Sequence, residues 1–229
     1  MDKLLQYDPR LRASLVDHFW EEGAGVETVA RSEAVECGDF ADGAYQARIR
    51  RNPDRIQVLL DREGNAYDLQ LKVTKGVTLT QGSDQLEIAY MIEGLPPGRQ
   101  LHFGVEFNFA GLPDGLDDRF YSDADGKKLG QLGTQLNLVD TTGIQLTDEW
   151  LGLELGLSFD QTGGIWTYPV RSVSQSEGGF ELVHQCVCVQ PHWMVVGDKN
   201  GRWATRMCLT FQTRSNDNQE SHDHIAAAN

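Results

Sequence analysis

The 229-residue sequence lacks long apolar runs and lacks clusters of basic residues. No stretch approaches the roughly 20 apolar residues that a membrane-spanning helix needs, and residues 1–6 do not contain the continuous apolar core of a secretion signal. Lys and Arg total 20 against 34 Asp and Glu, which gives a formal net charge of −14. Nucleic acid and anionic membranes are therefore excluded as favoured partners, and we predict a cytoplasmic protein.

Cysteine is also scarce. The four cysteines contain no CxxC pair, and Cys186 and Cys188 share one face of a predicted strand. This spacing fits neither a redox motif nor a zinc knuckle, so buried free thiols are expected. No cofactor is predicted.

One loop concentrates acidic residues. Carboxylates at this density could hold Ca²⁺, but the ligand order and closing glutamate of an EF-hand are missing, so a solvated loop without a metal is favoured. The loop comprises Asp114, Asp117, Asp118, Asp123 and Asp125.

What the sequence does contain is alternation of apolar and polar residues with a period of two, broken by turn signals. About a dozen strands and no repeated strand-helix-strand unit predict an all-β, antiparallel β-sandwich in a single domain over residues 1–214. The polar residues 215–229 are predicted to form a disordered tail. The clearest alternating segments are 45–49, 56–60, 69–73, 77–79, 86–92, 151–159 and 203–211, with turns expected at each break, including Gly76.

One N-terminal helix is predicted before the strands. Asp8 can cap it, Pro9 suits its first position, and Leu11, Leu15 and Phe19 repeat at i, i+4 and i+8. We expect this helix, over residues 9–20, to pack on the sandwich.

The segment 103–109 predicts a core strand, because large apolar residues occupy every second position. Glu106 and Asn108 then lie side by side on its opposite face. A carboxylate beside a carboxamide suits sugar hydroxyls, although a solvated sheet face explains the same pattern.

Two other places could contact a ligand. Gln175, Ser176 and Glu177 precede paired glycines in a predicted loop, which is either a ligand or interdomain contact or a tight turn that fixes strand register. His192 and Trp193 follow Pro191 at a strand boundary. We predict that Trp193 is an exposed face for stacking on sugar, although most strand aromatics belong to cores.

Three segments resemble the C-terminal β-sandwich of glycoside hydrolase family 57, the α-amylase and 4-α-glucanotransferase group. They are residues 12–19, 103–108 and 173–181, in matching order and separation over roughly residues 7–212. The resemblance implies a galactose mutarotase-like supersandwich, with the catalytic carboxylates on a separate β/α barrel. It therefore implies a noncatalytic accessory domain that either binds carbohydrate or supports the catalytic barrel. Its implied partners are α-glucan or another carbohydrate and a catalytic barrel.

Two alternatives stay open. A mutarotase-like sugar epimerase would use Glu106 with His102, His184 or His192 as base and acid. A purely structural interaction module needs no ligand. No Ser/His/Asp triad can be assigned from the sequence, and no catalytic residue is predicted in this chain.

Overall fold

The computed structural model describes residues 12–176 and 179–213, and it describes side chains outside 175–180. The predicted tail and the helix start at Asp8 to Leu11 lie outside these ranges. Within them the chain forms twelve strands and one short helix. These are β1 Val16–Trp20, α1 Val26–Ala30, β2 Gln46–Arg51, β3 Arg55–Ala66, β4 Leu69–Thr80, β5 Gln85–Glu93, β6 Leu101–Ala110, β7 Arg119–Ser122, β8 Lys128–Gln131, β9 Leu136–Asp148, β10 Leu153–Ser176, β11 Gly179–Val195 and β12 Arg202–Thr213.

All strand pairs are antiparallel, and the main hydrogen-bonded order is β1-β6-β11-β10-β12-β5-β4-β3-β2. The first residues of β10 pair with β12, and its later residues pair with β11. This strand therefore belongs to both layers, one continuing through β11, β6 and β1 and the other through β12, β5, β4, β3 and β2. The two layers face each other, because Phe103 of β6 lies 5.9 Å from the rings of Tyr90 and Trp203. The predicted all-β, antiparallel fold is confirmed.

Alternation identifies most strands well. In β5, Ile88, Tyr90 and Ile92 face the core while the residues between them are more exposed. Two predicted boundaries are wrong. Gly76 does not end a strand, because β4 passes straight through it, and β10 starts only at Leu153, after a turn in which Gly152 has a left-handed φ of 62°.

The predicted N-terminal helix is wrong over its described part, since residues 16–20 form β1 and pair with β6. In this strand Asp17 and Phe19 point to the core, opposite Val105 and Phe103. The helix that the described residues do form, α1, comes later and has only five residues. Phe19 nevertheless packs in the core as expected, and Leu15 is half-buried against it.

A buried ion pair joins β1 to the opposite layer. Lys75 Nζ of β4 lies 2.7 Å from Asp17 Oδ2 and also donates to the carbonyl oxygen of Leu15. The hydroxyls of Tyr90 and Tyr45 donate to the same carboxylate. Because both oxygens of Asp17 accept hydrogen bonds and one of the donors is a cation, the buried charge is compensated.

A second apolar cluster covers the outer face of β1, β6, β10 and β11. Trp20, Trp166 and Tyr168 pack there with Val26 and Val29 of α1. This arrangement encloses the polar groups described next. None of the helices in the described ranges is long and apolar enough to cross a bilayer.

Candidate functional site

Polar side chains gather on the outer face of β1 and β6 because these strands pair in register. Val16 lies opposite Glu106, and His18 lies opposite Gly104, so the His18 side chain reaches the neighbouring Glu106. We call the group formed by Arg12, His18, Glu36, Glu106 and Asn108 the Glu106 cluster.

Glu106 is the centre of this cluster. Its Oε2 lies 3.2 Å from His18 Nε2, and its Oε1 lies 3.3 Å from Arg12 Nη1. Asn108 Nδ2 donates to the same Oε1 at 2.6 Å. The other ring nitrogen of His18 contacts Glu36 at 2.7 Å. Two carboxylates thus enclose one imidazole, with a guanidinium beside them.

The surroundings shift the pKa values of the cluster in opposite directions. Burial alone would raise the pKa of Glu106, but hydrogen bonds from His18 and Asn108 and the positive charges of His18 and Arg12 lower it to about 2. Burial likewise opposes protonation of His18, and hydrogen bonds to Glu106 and Glu36 raise its pKa above the ordinary value. The cluster therefore favours ionised Glu106 and protonated His18.

The predicted neighbours Glu106 and Asn108 do lie side by side, but they do not form a solvated face. Glu106 is only 4% exposed. Asn108 Nδ2 also donates to Ala13 O at 2.8 Å, and its backbone N–H donates to Ser14 Oγ at 3.1 Å. The carboxamide and carboxylate thus hold the segment 12–18 onto β6.

A small cavity of about 140 Å³ adjoins the Glu106 cluster. Such a space is below the usual size of a drug-sized ligand site. The residues that line it are Arg12, His18, Trp20, Val29, Ser32, Ala34, Glu36, Glu106 and Tyr168.

A pair of histidines lies on the same face toward the other end of β6. His102 Nε2 is 3.0 Å from His192 Nδ1, and the His192 ring stacks on Trp166 with ring centres 3.9 Å apart. Burial lowers the pKa of His102 to about 4, and burial together with His102 lowers the pKa of His192 to about 3. Both rings are therefore neutral at neutral pH.

The prediction that Trp193 is an exposed aromatic face is wrong. It is 4% exposed, because its ring points to the core and contacts Phe103, Phe159 and Trp203. Its Nε1 donates to the carbonyl oxygen of Gln161.

The backbone of Gln175 and Ser176 does not lie near the Glu106 cluster. Gln175 and Ser176 are strand residues of β10, with Ser176 paired to Gly179, while Asn108 is opposite Cys188. From Gly179 to Cys188 the strand runs for about 30 Å, at ~3.3 Å per residue. Glu177 lies outside the described residues, and a binding role for all three residues stays a prediction.

Sequence reasoning missed Arg12, His18, Glu36 and Trp20 as members of the site. Arg12 and His18 fall in the segment predicted as a helix, where they would not face β6. Only the pairing of β1 with β6 brings His18 to Glu106. Glu36 comes close to His18 because its backbone forms an isolated bridge with Trp20 at the end of β1. The sequence carries no local signal for such a long-range contact.

The carboxylates of the acidic loop point to different partners. Asp114 pairs with Arg171, Asp118 with Arg119, and Asp117 accepts from Gln131 Nε2. Asp123 accepts from backbone N–H groups of its own turn. Among the described residues, no group of three or more acidic, His or Cys side chains is arranged to hold a metal ion.

Comparison with known proteins gives one consistent family. The sequence model described as α-amylase/4-α-glucanotransferase, C-terminal, matches residues 1–207. The 4-α-glucanotransferase of Thermococcus kodakarensis is 28% identical over 194 residues, which cover 85% of this chain and 26% of that protein. α-Amylase 1 of Dictyoglomus thermophilum is 24% identical over 192 residues, covering 81% and 26%. The chain thus spans about a quarter of the length of these relatives.

Solved structures agree in fold. The 4-α-glucanotransferase of Thermococcus litoralis superposes with a TM-score of 0.69 at 22% identity, covering 93% of this chain and 29% of that one. A candidate aldose 1-epimerase from Escherichia coli K12 superposes with a TM-score of 0.53 at 9% identity, covering 80% and 73%. These two likenesses relate the fold both to the glucanotransferase and to mutarotase-like sandwiches.

Proposed function

Because the chain belongs to the family of α-amylase/4-α-glucanotransferase C-terminal domains, we propose that it is a noncatalytic accessory domain of a cytoplasmic α-glucan-processing enzyme. In this role it supports a catalytic β/α barrel and contacts the carbohydrate substrate. The observation that carries the proposal is the family match over residues 1–207, together with relatives of whose length the match covers only 26%.

The Glu106 cluster supports the structural part of this role. A C-terminal domain joins the rest of its enzyme through its first residues, and here Glu106 and Asn108 bind residues 12–14 directly. Because three contacts to successive residues act together, and the one from Arg12 to Glu106 is half-buried and charged, they hold the segment in one conformation. A fixed segment fixes the orientation of whatever region precedes it.

The geometry disfavours the epimerase alternative. A general base works best with a pKa near the operating pH, and the pKa of Glu106 is lowered to about 2. Its imidazole partner is His18, not His102, His184 or His192. His184 instead contacts Leu112 O at 2.9 Å and Asp114 at 3.4 Å.

A domain exchange tests the proposed function. The C-terminal quarter of the Thermococcus kodakarensis 4-α-glucanotransferase is replaced by this chain and compared with the same enzyme truncated at that boundary. We expect the chimera to regain at least about tenfold in glucan transfer over the truncated enzyme, since positioning alone can change rates this much. A chimera as inactive and as unstable as the truncated enzyme contradicts the proposal.

An Asn108→Ala variant of the chimera tests the role of the clamped segment. It should lose part of the regained activity, because Asn108 holds residues 13 and 14. Asp125→Ala, in an exposed loop, is the matched control and should leave the activity unchanged.

A further inference from the structure

The regular pairing between strands β9 and β10 is interrupted at one place, and a groove opens there. Ser158 pairs with Gly143, the next pair is Gly163 with Thr141, and then Ile165 with Leu138. Extra residues on both strands therefore bulge out, and Asp140 adopts a left-handed φ of 51°. We call the resulting space, of about 360 Å³, the bulge groove. Its lining residues include Val139, Asp140, Gln161, Thr162, His192 and Trp203.

The floor of the bulge groove depends on two glycines. A Cβ atom on Gly163 would lie 2.5 Å from Trp193 Nε1 and 2.6 Å from His192 O, and one on Gly164 would clash with the His192 ring. Because neither glycine carries a side chain, the rings of Trp193 and His192 on the paired strand β11 can lie against β10, and His192 lines the groove. The donation from Trp193 Nε1 to Gln161 O ties the bulge in place.

Apolar and polar groups in this groove are arranged as on a sugar-binding surface. Val139 is 70% exposed and Met194 is 50% exposed, and Trp203 lines the same groove. The carboxylate of Asp140, the amide of Gln161 and the hydroxyl of Thr162 are all at exposed positions. Apolar surface suits the C–H faces of a pyranose ring, and the three polar groups suit its hydroxyls.

One buried group points to a missing hydrogen-bond partner. His192 Nε2 is buried and has no partner among the described residues, while its Nδ1 contacts His102. Since the ring is neutral, Nε2 can either donate to or accept from a hydroxyl, depending on the tautomer. A buried polar atom in this state is costly unless something binds to it.

The charges favour a neutral ligand. No Lys or Arg lines the bulge groove, whereas Asp140 does, in a chain of net charge −14. An anionic ligand is therefore repelled. A volume of about 360 Å³ lies at the lower end of the range for small-molecule sites, which suits one or two sugar units at a time.

We propose that the bulge groove is a subsite that binds a short stretch of neutral α-glucan. The class of sugar rests on the proposed function, while the location rests on the groove itself. A second, larger groove on β4, β5 and β12 is the rival location, and it is lined mostly by small and polar side chains such as Gly76, Thr78, Ala89 and Cys208, with Phe159 as its one aromatic residue. It has less aromatic surface on which a ring could stack.

Chemical-shift mapping of the purified chain with maltoheptaose tests this proposal. We expect saturable shifts at residues 139–140, 161–164 and 192–194, with a Kd on the order of 1 mM because an open groove buries little of the ligand. The double variant Asp140→Ala and Gln161→Ala should weaken binding at least about tenfold. The matched control Gln57→Ala and Glu87→Ala, in the rival groove, should change Kd less than about twofold.

Three results overturn the proposal. Shifts confined to the rival groove or to Glu106 and Asn108 show that sugar binds elsewhere. Absence of any saturable shift at 20 mM maltoheptaose, a concentration chosen well above the expected Kd, shows that the groove does not bind α-glucan. Equal weakening by the test and control variants shows an unspecific effect. In each case the domain exchange still decides the proposed function independently.

Discussion

At the scale of single residues, the Glu106 cluster makes the stability of the fold depend on pH. The pKa of Glu106 is lowered from 4.5 to about 2, so its contribution to stability is present above about pH 4.5 and is lost as the pH falls toward 2. The pKa of His18 is raised from 6.5, so its contribution is present below about pH 6.5 and is lost as the pH rises. The cluster therefore stabilises the fold most between these values.

The variant Glu106→Gln should lower the free energy of unfolding by about 3 kcal/mol near pH 5.5, because it removes the buried negative charge that faces both His18 and Arg12. Urea denaturation of wild type and variant at pH 5.5 and at pH 3, conditions chosen for the experiment, measures the difference. This difference in the free energy of unfolding should be smaller at pH 3 than at pH 5.5. Glu63→Gln, at an exposed site in β3, should show no such trend. An equal loss at both pH values would mean that packing, not charge, is responsible.

At the scale of elements, β1 depends on a buried charge. Lys75 and Asp17 have side chains that are 5% and 0% exposed. Lys75→Met should therefore destabilise the protein by about 3–5 kcal/mol, because Asp17 stays buried without its cation. The double variant Asp17→Asn and Lys75→Met should recover at least half of this loss.

Urea denaturation of Asp17→Asn, Lys75→Met and the double variant gives the coupling free energy between the two side chains. Lys72→Met, at a half-buried position of the same strand, is the matched control and should cost less than about 1 kcal/mol. Strictly additive losses in the double variant would show that Lys75 and Asp17 do not stabilise each other.

The buried charge of Asp17 also explains why the sequence predicts a helix where the structure has β1. Leu11, Leu15 and Phe19 fit a helical period, and the inward position between Leu15 and Phe19 is occupied by Asp17, which breaks the apolar alternation of a strand. Where no charged residue faces the core, as in β5 and β12, alternation predicts the strand to within a residue or two. The prediction that Trp193 is exposed is wrong for a related reason, because an alternation with a period of two does not tell which face of a strand is buried.

The site could be predicted only in part. Glu106 and Asn108 are neighbours in one strand, so local spacing brings them together correctly. His18 and Glu36 reach Glu106 through pairing between distant segments. The bulge groove depends on a break in strand register, which the glycines at 163 and 164 suggest only once the pairing is known.

At the scale of the whole molecule, the proposed role predicts that this chain alone neither hydrolyses nor transfers α-glucan. The expected turnover on maltoheptaose and amylose equals the buffer blank, because the proposed catalytic carboxylates belong to a separate barrel. Chromatography of the sugar products after prolonged incubation is the measurement. Any turnover that co-purifies with the chain would contradict a noncatalytic role, and turnover that persists in Glu106→Gln would point to a catalytic group other than Glu106.

The length of β10 has a consequence for how the molecule comes apart. Because its 24 residues supply hydrogen bonds to β9, β11 and β12 in turn, neither layer can open without breaking pairs in the other. Local openings should thus be confined to peripheral elements such as β2 and β8, while amide protons at the centre of β10 exchange only when the whole domain unfolds. Mechanical force transmitted through such a domain meets one cooperative barrier. Any attached region would therefore move relative to a rigid body and not relative to a pair of hinged sheets.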